Sequence, residues 1–268
     1  MDRNGLGTHA GQRREQVLIT GASAGIGMEL ARCFAADRST LILSARREAE
    51  LQLLAAELRT KYEVEVHVLP ADLADPSGVA ALLSALTELG LSPDVLVNNA
   101  GFGARGHFAE LAAGRIEGML AVNVTAVTRL AHALLPSMRA RRRGGILNVA
   151  STAAFQPGPY MAVYYATKAY VLSWSEALFE ECRDEGVTVS ALCPGPTHTE
   201  FSSVAGTDDT RLLKLGSMDA VTVARVGHAA FRAGKPLSIP GFNNRLGAFS
   251  VRFFPRALVR KLVTKLQK

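Results

Sequence analysis

The 268-residue chain is poor in cysteine: it has three, at positions 33, 182 and 193, without the close spacing of a structural metal site or a disulfide framework. Cys33 lies in a helical pattern and Cys193 ends an apolar strand pattern, so buried free thiols and a reducing, cytoplasmic setting are expected. No metal site is expected. No run of 18 or more apolar residues occurs, which predicts no membrane-spanning helix. Residues 1–15 are polar and lack the apolar core of a signal peptide; they read as a flexible leader. Repeats, linkers and low-complexity tracts are missing as well. Acidic residues are absent from one region only. From Ala220 to Lys268 there are ten Lys or Arg and no Asp or Glu, so with a chain total of +6 residues 1–219 carry a net −4. The basic charge therefore belongs to the tail. No nucleic-acid-binding motif accompanies it, and nucleic acid is not an expected partner.

What is present is the composition of an ordinary globular protein, 48 % hydrophobic and 20 % charged, at a length suited to one large α/β domain or two small ones. Gln16–Thr20 is a short apolar run. It leads into Gly21-Ala-Ser23-Ala-Gly25-Ile26-Gly27, and helical spacing of Met28, Leu30, Ala31 and Phe34 follows. Strand, glycine turn and helix N-terminus in that order form a dinucleotide site, where backbone amides approach a pyrophosphate at the positive end of the helix. A second strand, Thr40–Ser44, ends in Ala45-Arg46-Arg47. An NAD site places a carboxylate there for the ribose hydroxyls; a guanidinium at Arg46 instead suits a 2′-phosphate, which argues for NADP(H) over NAD(H). The alternative for Arg46 is a solvated charge at a helix start.

The chain is organised around Ser151–Lys168. A strand, Gly145–Ala150, delivers Ser151, and a helix from about Val163 carries Tyr164 and Lys168 four residues apart on one face. A free phenol, with a pKa of about 10, is a poor acid–base catalyst at neutral pH; a neighbouring ammonium stabilises the phenolate and lowers that value. A chance Tyr/Lys pair on an amphipathic helix is the alternative.

The spacing G-x-x-x-G-x-G, together with the later motifs, resembles the short-chain dehydrogenase/reductase family over about residues 16–240, in an NADP(H)-preferring, bacterial-type form with a basic extension at 241–268. The 13 residues from Ser151 to Tyr164 match the family's layout, and neither Thr152 nor Tyr165 keeps that spacing. The resemblance implies that Lys168 also bonds the nicotinamide ribose. It gives Asp72, with Leu73, the adenine edge, although a turn cap suits Asp72 equally. It identifies Asn98-Asn99-Ala100-Gly101 as the element lining the cofactor floor. It makes Asn123, inside a helix from about Arg115 to Ala140, the holder of a water that links the lysine to solvent; a purely structural hydrogen bond is the alternative. It makes Pro194-Gly195-Pro196-Thr197-His198-Thr199 the element beside the nicotinamide, with Thr199 on its carboxamide.

Strands and helices alternate throughout, which predicts a single doubly wound parallel sheet of about seven strands, a Rossmann fold with helices on both faces. The expected reaction is hydride transfer between NADPH and a carbonyl substrate, with Asn123, Ser151, Tyr164 and Lys168 catalytic and Phe102, Phe155, Met161 and Phe201 lining an apolar substrate pocket. Residues of about 200–218 read as a mobile flap over it. A catalytically silent NADP(H)-binding regulatory protein is the competing class. The family often forms dimers or tetramers through the helices carrying Asn123 and Tyr164, so a homo-oligomer is expected. Leu258, Leu262 and Leu266 make a stripe on the tail, which docks on the body or on a subunit, or lies on anionic lipid as part of a membrane-peripheral reductase of lipid-like substrates.

Overall fold

The computed structural model describes residues 14–207, 210 and 216–267. Strand β1, Gln16–Thr20, has four consecutive buried residues, and a strand with no solvent-facing side must be covered on both faces. Its side chains alternate: Val17 and Ile19 enter one apolar cluster and Leu18 the other. The same division holds for β2 (Thr40–Ser44) and β4 (Val95–Asn98). With β3 (Val66–Val68), β5 (Gly144–Val149), β6 (Val187–Leu192), β7 (Thr197–His198), β8 (Met218–Asp219) and β9 (Leu237–Ser238), the strands make a seven-stranded sheet ordered β3-β2-β1-β4-β5-β6-β9 and a separate β7-β8 pair. Every pairing is parallel. The order reverses between β1 and β4, which opens a crevice at the carboxyl ends of those strands.

Helices α1 (Gly25–Ala36) and α2 (Glu48–Tyr62) cover one face, through Leu30, Phe34, Leu51 and Leu58. Helix α3 (Gly78–Glu88) and a long helical run cover the other. That run is α4 (Ala113–Leu120), a π-helical segment (Ala121–Ala126) and α5 (Val127–Ala140). By length and composition it could cross a membrane, although charged and polar residues interrupt its apolar run. Here it is a core helix, burying Met119, Val122, Leu130, Leu134 and Met138. Helix α6 (Ala162–Cys182) runs beside it.

Within the expected flap, Phe201–Ala205 forms a short helix, α7; positions 208, 209 and 211–215 lie outside the described residues, as do 1–13 of the expected leader. Helix α8 (Ala220–Arg232) returns to the α1 face. Pro255 separates α9 (Phe242–Ser250) from α10 (Arg256–Gln267), as its missing N–H and ring predict. The tail docks on the body, but of the leucine stripe only Leu266 turns inward. Val259, Val263 and Gln267 are buried, whereas Leu258 and Leu262 are more than half exposed.

Candidate active site

The glycine turn is held open from behind. Gly21 has φ +64°, and a Cβ there would stand 2.8 Å from the Ala100 Cα and from the Asn99 Nδ2. Asn99 donates that amide to the carbonyls of Thr20 and Gly21, both at 3.0 Å, and the Thr20 hydroxyl accepts from the N–H groups of Asn99 and Ala100. Helix α1 then begins at Gly25 with no side-chain cap and no acidic residue in its first turn. Its leading N–H groups are thus left for an outside acceptor. Ser23, Ala24, Gly25 and Ile26 line the cavity beside them. This donor set fits a nucleotide diphosphate. Gly27 supports the turn from beneath, since a side chain there would strike the Gly21 carbonyl and the Asn99 amide.

At the end of β2, Ala45 occupies the carboxylate position and Arg46 is exposed on the cavity wall. Arg46 makes no ion pair or hydrogen bond among the described residues. Arg47, by contrast, bonds the Ser23 hydroxyl at 3.3 Å and the Glu200 carboxylate at 2.9 Å.

Tyr164, Ser151 and Lys168 meet in the same cavity, of about 340 Å³. Ser151 leaves β5 with extended backbone, accepts from the Ala153 N–H at 3.1 Å and faces the Pro194 carbonyl. Lys168 is buried, donates to the Val149 carbonyl at 2.8 Å and lies 5.8 Å from the centre of the Tyr164 ring. Burial lowers its pKa to about 8. The phenol departs from the expectation drawn from the sequence. Burial raises the Tyr164 pKa above the ordinary tyrosine value, and the Ser151 hydroxyl pulls only partly the other way. Desolvation is the largest influence on both groups, and on Tyr164 it favours the protonated phenol.

Asn123 sits under the cavity, inside the π-helical segment, 1 % exposed. Its Oδ1 accepts from the Phe102 N–H, and its Nδ2 donates to the Phe102 carbonyl and the Thr167 hydroxyl. This is the structural hydrogen bonding left open above. Gly101 lies between this amide and Lys168: a Cβ there would be 3.1 Å from Asn123 Oδ1 and 3.4 Å from Lys168 Nζ. A side chain at 101 would thus fill the passage between the two.

Arg46, Asn99, Ala100, Gly101, Pro194, Gly195 and Thr199 all line the cavity, as do Phe102, Met161 and Phe201. Three expected positions lie outside the lining. Phe155 packs with Ala150, Val171 and Leu172 on the far side of its 3-10 turn (Thr152–Phe155) and is not on the substrate wall. Asp72 accepts from the Ala74 N–H at 3.0 Å, the turn-capping alternative, and Leu73 is in the core. The sequence reading also missed part of the wall. Tyr165, Gln156 and Glu200 line the cavity, and so do Val263, Leu266 and Gln267 from α10. Gln267 Nε2 donates to the Tyr165 hydroxyl at 2.7 Å; both side chains are buried, and Gln267 Oε1 has no partner. The signal lay in the spacing of Val259, Val263 and Gln267, overlooked beside the more apolar leucines.

Comparison with known proteins agrees with this architecture. The family model for short chain dehydrogenases matches residues 15–210. The chain is 32 % identical over 219 residues to ketoacyl reductase HetN of Nostoc sp., across 82 % of this chain and 75 % of that protein. A short-chain dehydrogenase from Sphingobium yanoikuyae, solved with NADPH, superposes with a TM-score of 0.80 at 36 % identity, covering 89 % of this chain and 93 % of that one. A member from Burkholderia phymatum, solved with NAD, gives a TM-score of 0.77 at 25 % identity, over 90 % and 95 % of the two chains. The doubly wound sheet, the glycine turn at its switch point and a family match over most of the length lead to one assignment: the chain belongs to the short-chain dehydrogenase/reductase family and is an oxidoreductase that interconverts C=O and CH–OH groups with a nicotinamide nucleotide.

Proposed function

We propose that this enzyme reduces an apolar ketone or aldehyde with NADPH in preference to NADH, and that Tyr164 is its proton donor. The observation that carries the proposal is the meeting of Tyr164, Ser151 and a buried Lys168 in the cavity that also holds the glycine turn and Arg46. The nucleotide, when bound, supplies the hydride. Gly21, Ser23, Gly25 and Ile26 would hold its diphosphate, Arg46 its 2′-phosphate, and Pro194, Gly195 and Thr199 its nicotinamide end. Asn99, Ala100 and Gly101 form the floor, Lys168 reaches the ribose, and Asp72 and Leu73 flank the adenine side.

Ser151 donates a hydrogen bond to the substrate carbonyl oxygen. Tyr164 gives its proton to the alkoxide that develops there. An alkoxide is several pK units more basic than a phenolate, so the transfer runs downhill, and a raised phenol pKa keeps the proton in place until it is needed. Lys168, with a pKa of about 8, is mostly an ammonium at neutral pH and offsets the phenolate left behind. Asn123 fixes the loop at Phe102 and the helix at Thr167, and a water at this point returns the proton to the pair.

The ring of Phe201, 5.2 Å from that of Tyr164, joins Phe102 and Met161 in an apolar surround for the substrate. Leu120 and Tyr170, exposed on the outer faces of α4 and α6, support a homo-oligomer formed through these helices. The free state of all three cysteines supports a cytoplasmic setting. The test is loss of NADPH absorbance over ketones and aldehydes graded by size and polarity, with NADH in parallel and Tyr164→Phe as control. Turnover confined to wild type and favouring NADPH is expected. Tight NADPH binding without turnover across the panel would instead support the silent, regulatory class.

A further inference from the structure

Helix α10 turns two valines and a glutamine inward and leaves two leucines outside, the reverse of what desolvation alone would select. The neighbouring segment repeats the pattern. Phe242, Leu246, Phe249 and Phe253 recur every three or four residues, so they share one face, and the rings of Phe249 and Phe253 lie 5.1 Å apart. With Phe254, Leu258 and Leu262, all are between 51 % and 73 % exposed. Seven large apolar side chains within 21 residues are not the scattered exposure of an ordinary surface. Six cations stand on the same segment: Arg245, Arg252, Arg256, Arg260, Lys261 and Lys265. None of them makes an ion pair among the described residues, and the segment has no acidic side chain.

We propose that the outer face of α9 and α10 docks on an anionic lipid bilayer, with the phenylalanines and leucines at the acyl boundary and the cations among the headgroups. A second copy of the chain is the poorer occupant. A two-fold contact would set the same six cations against each other with no carboxylate between them. Nucleic acid would satisfy the charges but leave the leucines in water. Val263 and Leu266 of α10 line the cavity, so a bilayer docked on the exposed face of this helix would lie about one helix diameter, roughly 10 Å, from the site. That a lipid-dissolved carbonyl compound enters there rests on the function proposed above; the docking itself does not.

The full chain should be sedimented with vesicles of phosphatidylcholine alone and of phosphatidylcholine with phosphatidylglycerol, at low and high salt, beside sedimentation velocity without lipid. Wild type is expected to pellet with the anionic vesicles and to be released in part by salt. Phe253→Asp/Leu262→Asp should weaken partitioning by about tenfold or more, since each buried apolar side chain contributes on that scale. Arg256→Glu/Lys261→Glu should abolish the preference for anionic vesicles. Both variants should keep the wild-type melting temperature and turnover of a water-soluble ketone. The proposal is overturned if wild type stays in the supernatant with phosphatidylglycerol, or if the Phe253/Leu262 variant pellets as well as wild type. Self-association that the variant abolishes, without vesicle binding, would assign the face to a second copy. Loss of ketone turnover in wild type would count against the redox reading alone.

Discussion

Cofactor choice is the point at which a single side chain should be decisive. Arg46 lies on the cavity wall with no ion pair or hydrogen bond among the described residues, whereas Arg47, next to it, is already committed to Ser23 and Glu200. Replacing Arg46 by alanine removes one cation and a pair of charge-assisted donors. A buried pair of that kind is worth more, but Arg46 is exposed, and solvent screening reduces the expected loss to about 1–2 kcal/mol. That corresponds to roughly a 5- to 30-fold fall in kcat/KM for NADPH. NADH carries no 2′-phosphate, so its kcat/KM should move by less than about twofold. Arg46→Asp should go further: a carboxylate there repels the phosphate and accepts from the ribose hydroxyls, which inverts the preference. The assay is steady-state reduction of one ketone with each nucleotide, for wild type, Arg46→Ala, Arg46→Asp and Arg47→Ala. Equal losses with both nucleotides would refute the assignment, because the effect would then be general. A change of preference confined to Arg47→Ala would refute it differently, by showing that the tethered arginine lets go of Glu200 to read the phosphate.

Tyr164→Phe should reduce turnover by about two to four powers of ten while leaving the NADPH dissociation constant within about twofold, as measured by single-turnover absorbance and fluorescence titration. Lys168 should give folding stability a distinct pH dependence. In the folded state it releases its proton near pH 8, whereas an unfolded lysine keeps it to about 10.5, so the unfolded chain binds more protons between those values. Raising pH from about 8 to 10 should therefore stabilise wild type relative to Lys168→Met by about 1 kcal/mol per pH unit, read by denaturant melts; parallel profiles would rule this out. The thiol of Cys193, whose pKa burial raises to about 12, acts in the opposite direction and mainly above this range. Gln267→Ala should cost about 1–3 kcal/mol, because it strands the buried Tyr165 hydroxyl, and should raise KM for bulky substrates more than it lowers kcat.

The parts legible in the sequence were those fixed by local rules. Strand, glycine turn and helix follow one another without long-range help, and the Tyr164–Lys168 spacing needs only the helical repeat. The buried β-strands likewise announced a two-faced sheet. The parts that were not legible depend on desolvation or on distant partners. Spacing brings Tyr164 to Lys168, but only the packed structure shows both dry enough for burial to raise the phenol's pKa and lower the ammonium's. Phe155 had a reasonable role by position, and the fold placed it in the core behind the wall; for Asp72 the structure adds the turn cap that its spacing also allowed. The inward stripe of α10 was hidden for a similar reason: hydrophobicity favoured its leucines, and the decisive contact, Gln267 with Tyr165, joins residues 102 positions apart.

The placement of the phenol depends on residues that carry no chemistry. On α6, Tyr164, Lys168, Val171 and Ser175 recur at intervals of four, three and four, and so share the face turned to the sheet. Two of them are bonded to β5. Lys168 reaches the Val149 carbonyl at 2.8 Å, and the Ser175 hydroxyl receives the Asn148 amide at 2.9 Å. Asn148 in turn accepts from Asn98 on β4, again at 2.9 Å, so the chain of buried amides spans two strands and a helix. A single anchor would let the helix rotate about it. Two anchors seven residues apart, almost two full turns, fix rotation and axial position together. Apolar packing alone would tolerate small slides of α6, because valines and leucines make similar contacts over a range of positions. Buried amides do not, since a slide of one ångström leaves donors unsatisfied in a dry interior. The polar residues inside otherwise apolar strands therefore hold Tyr164 at the cavity and beside Ser151, where an acid must stand to meet a carbonyl oxygen.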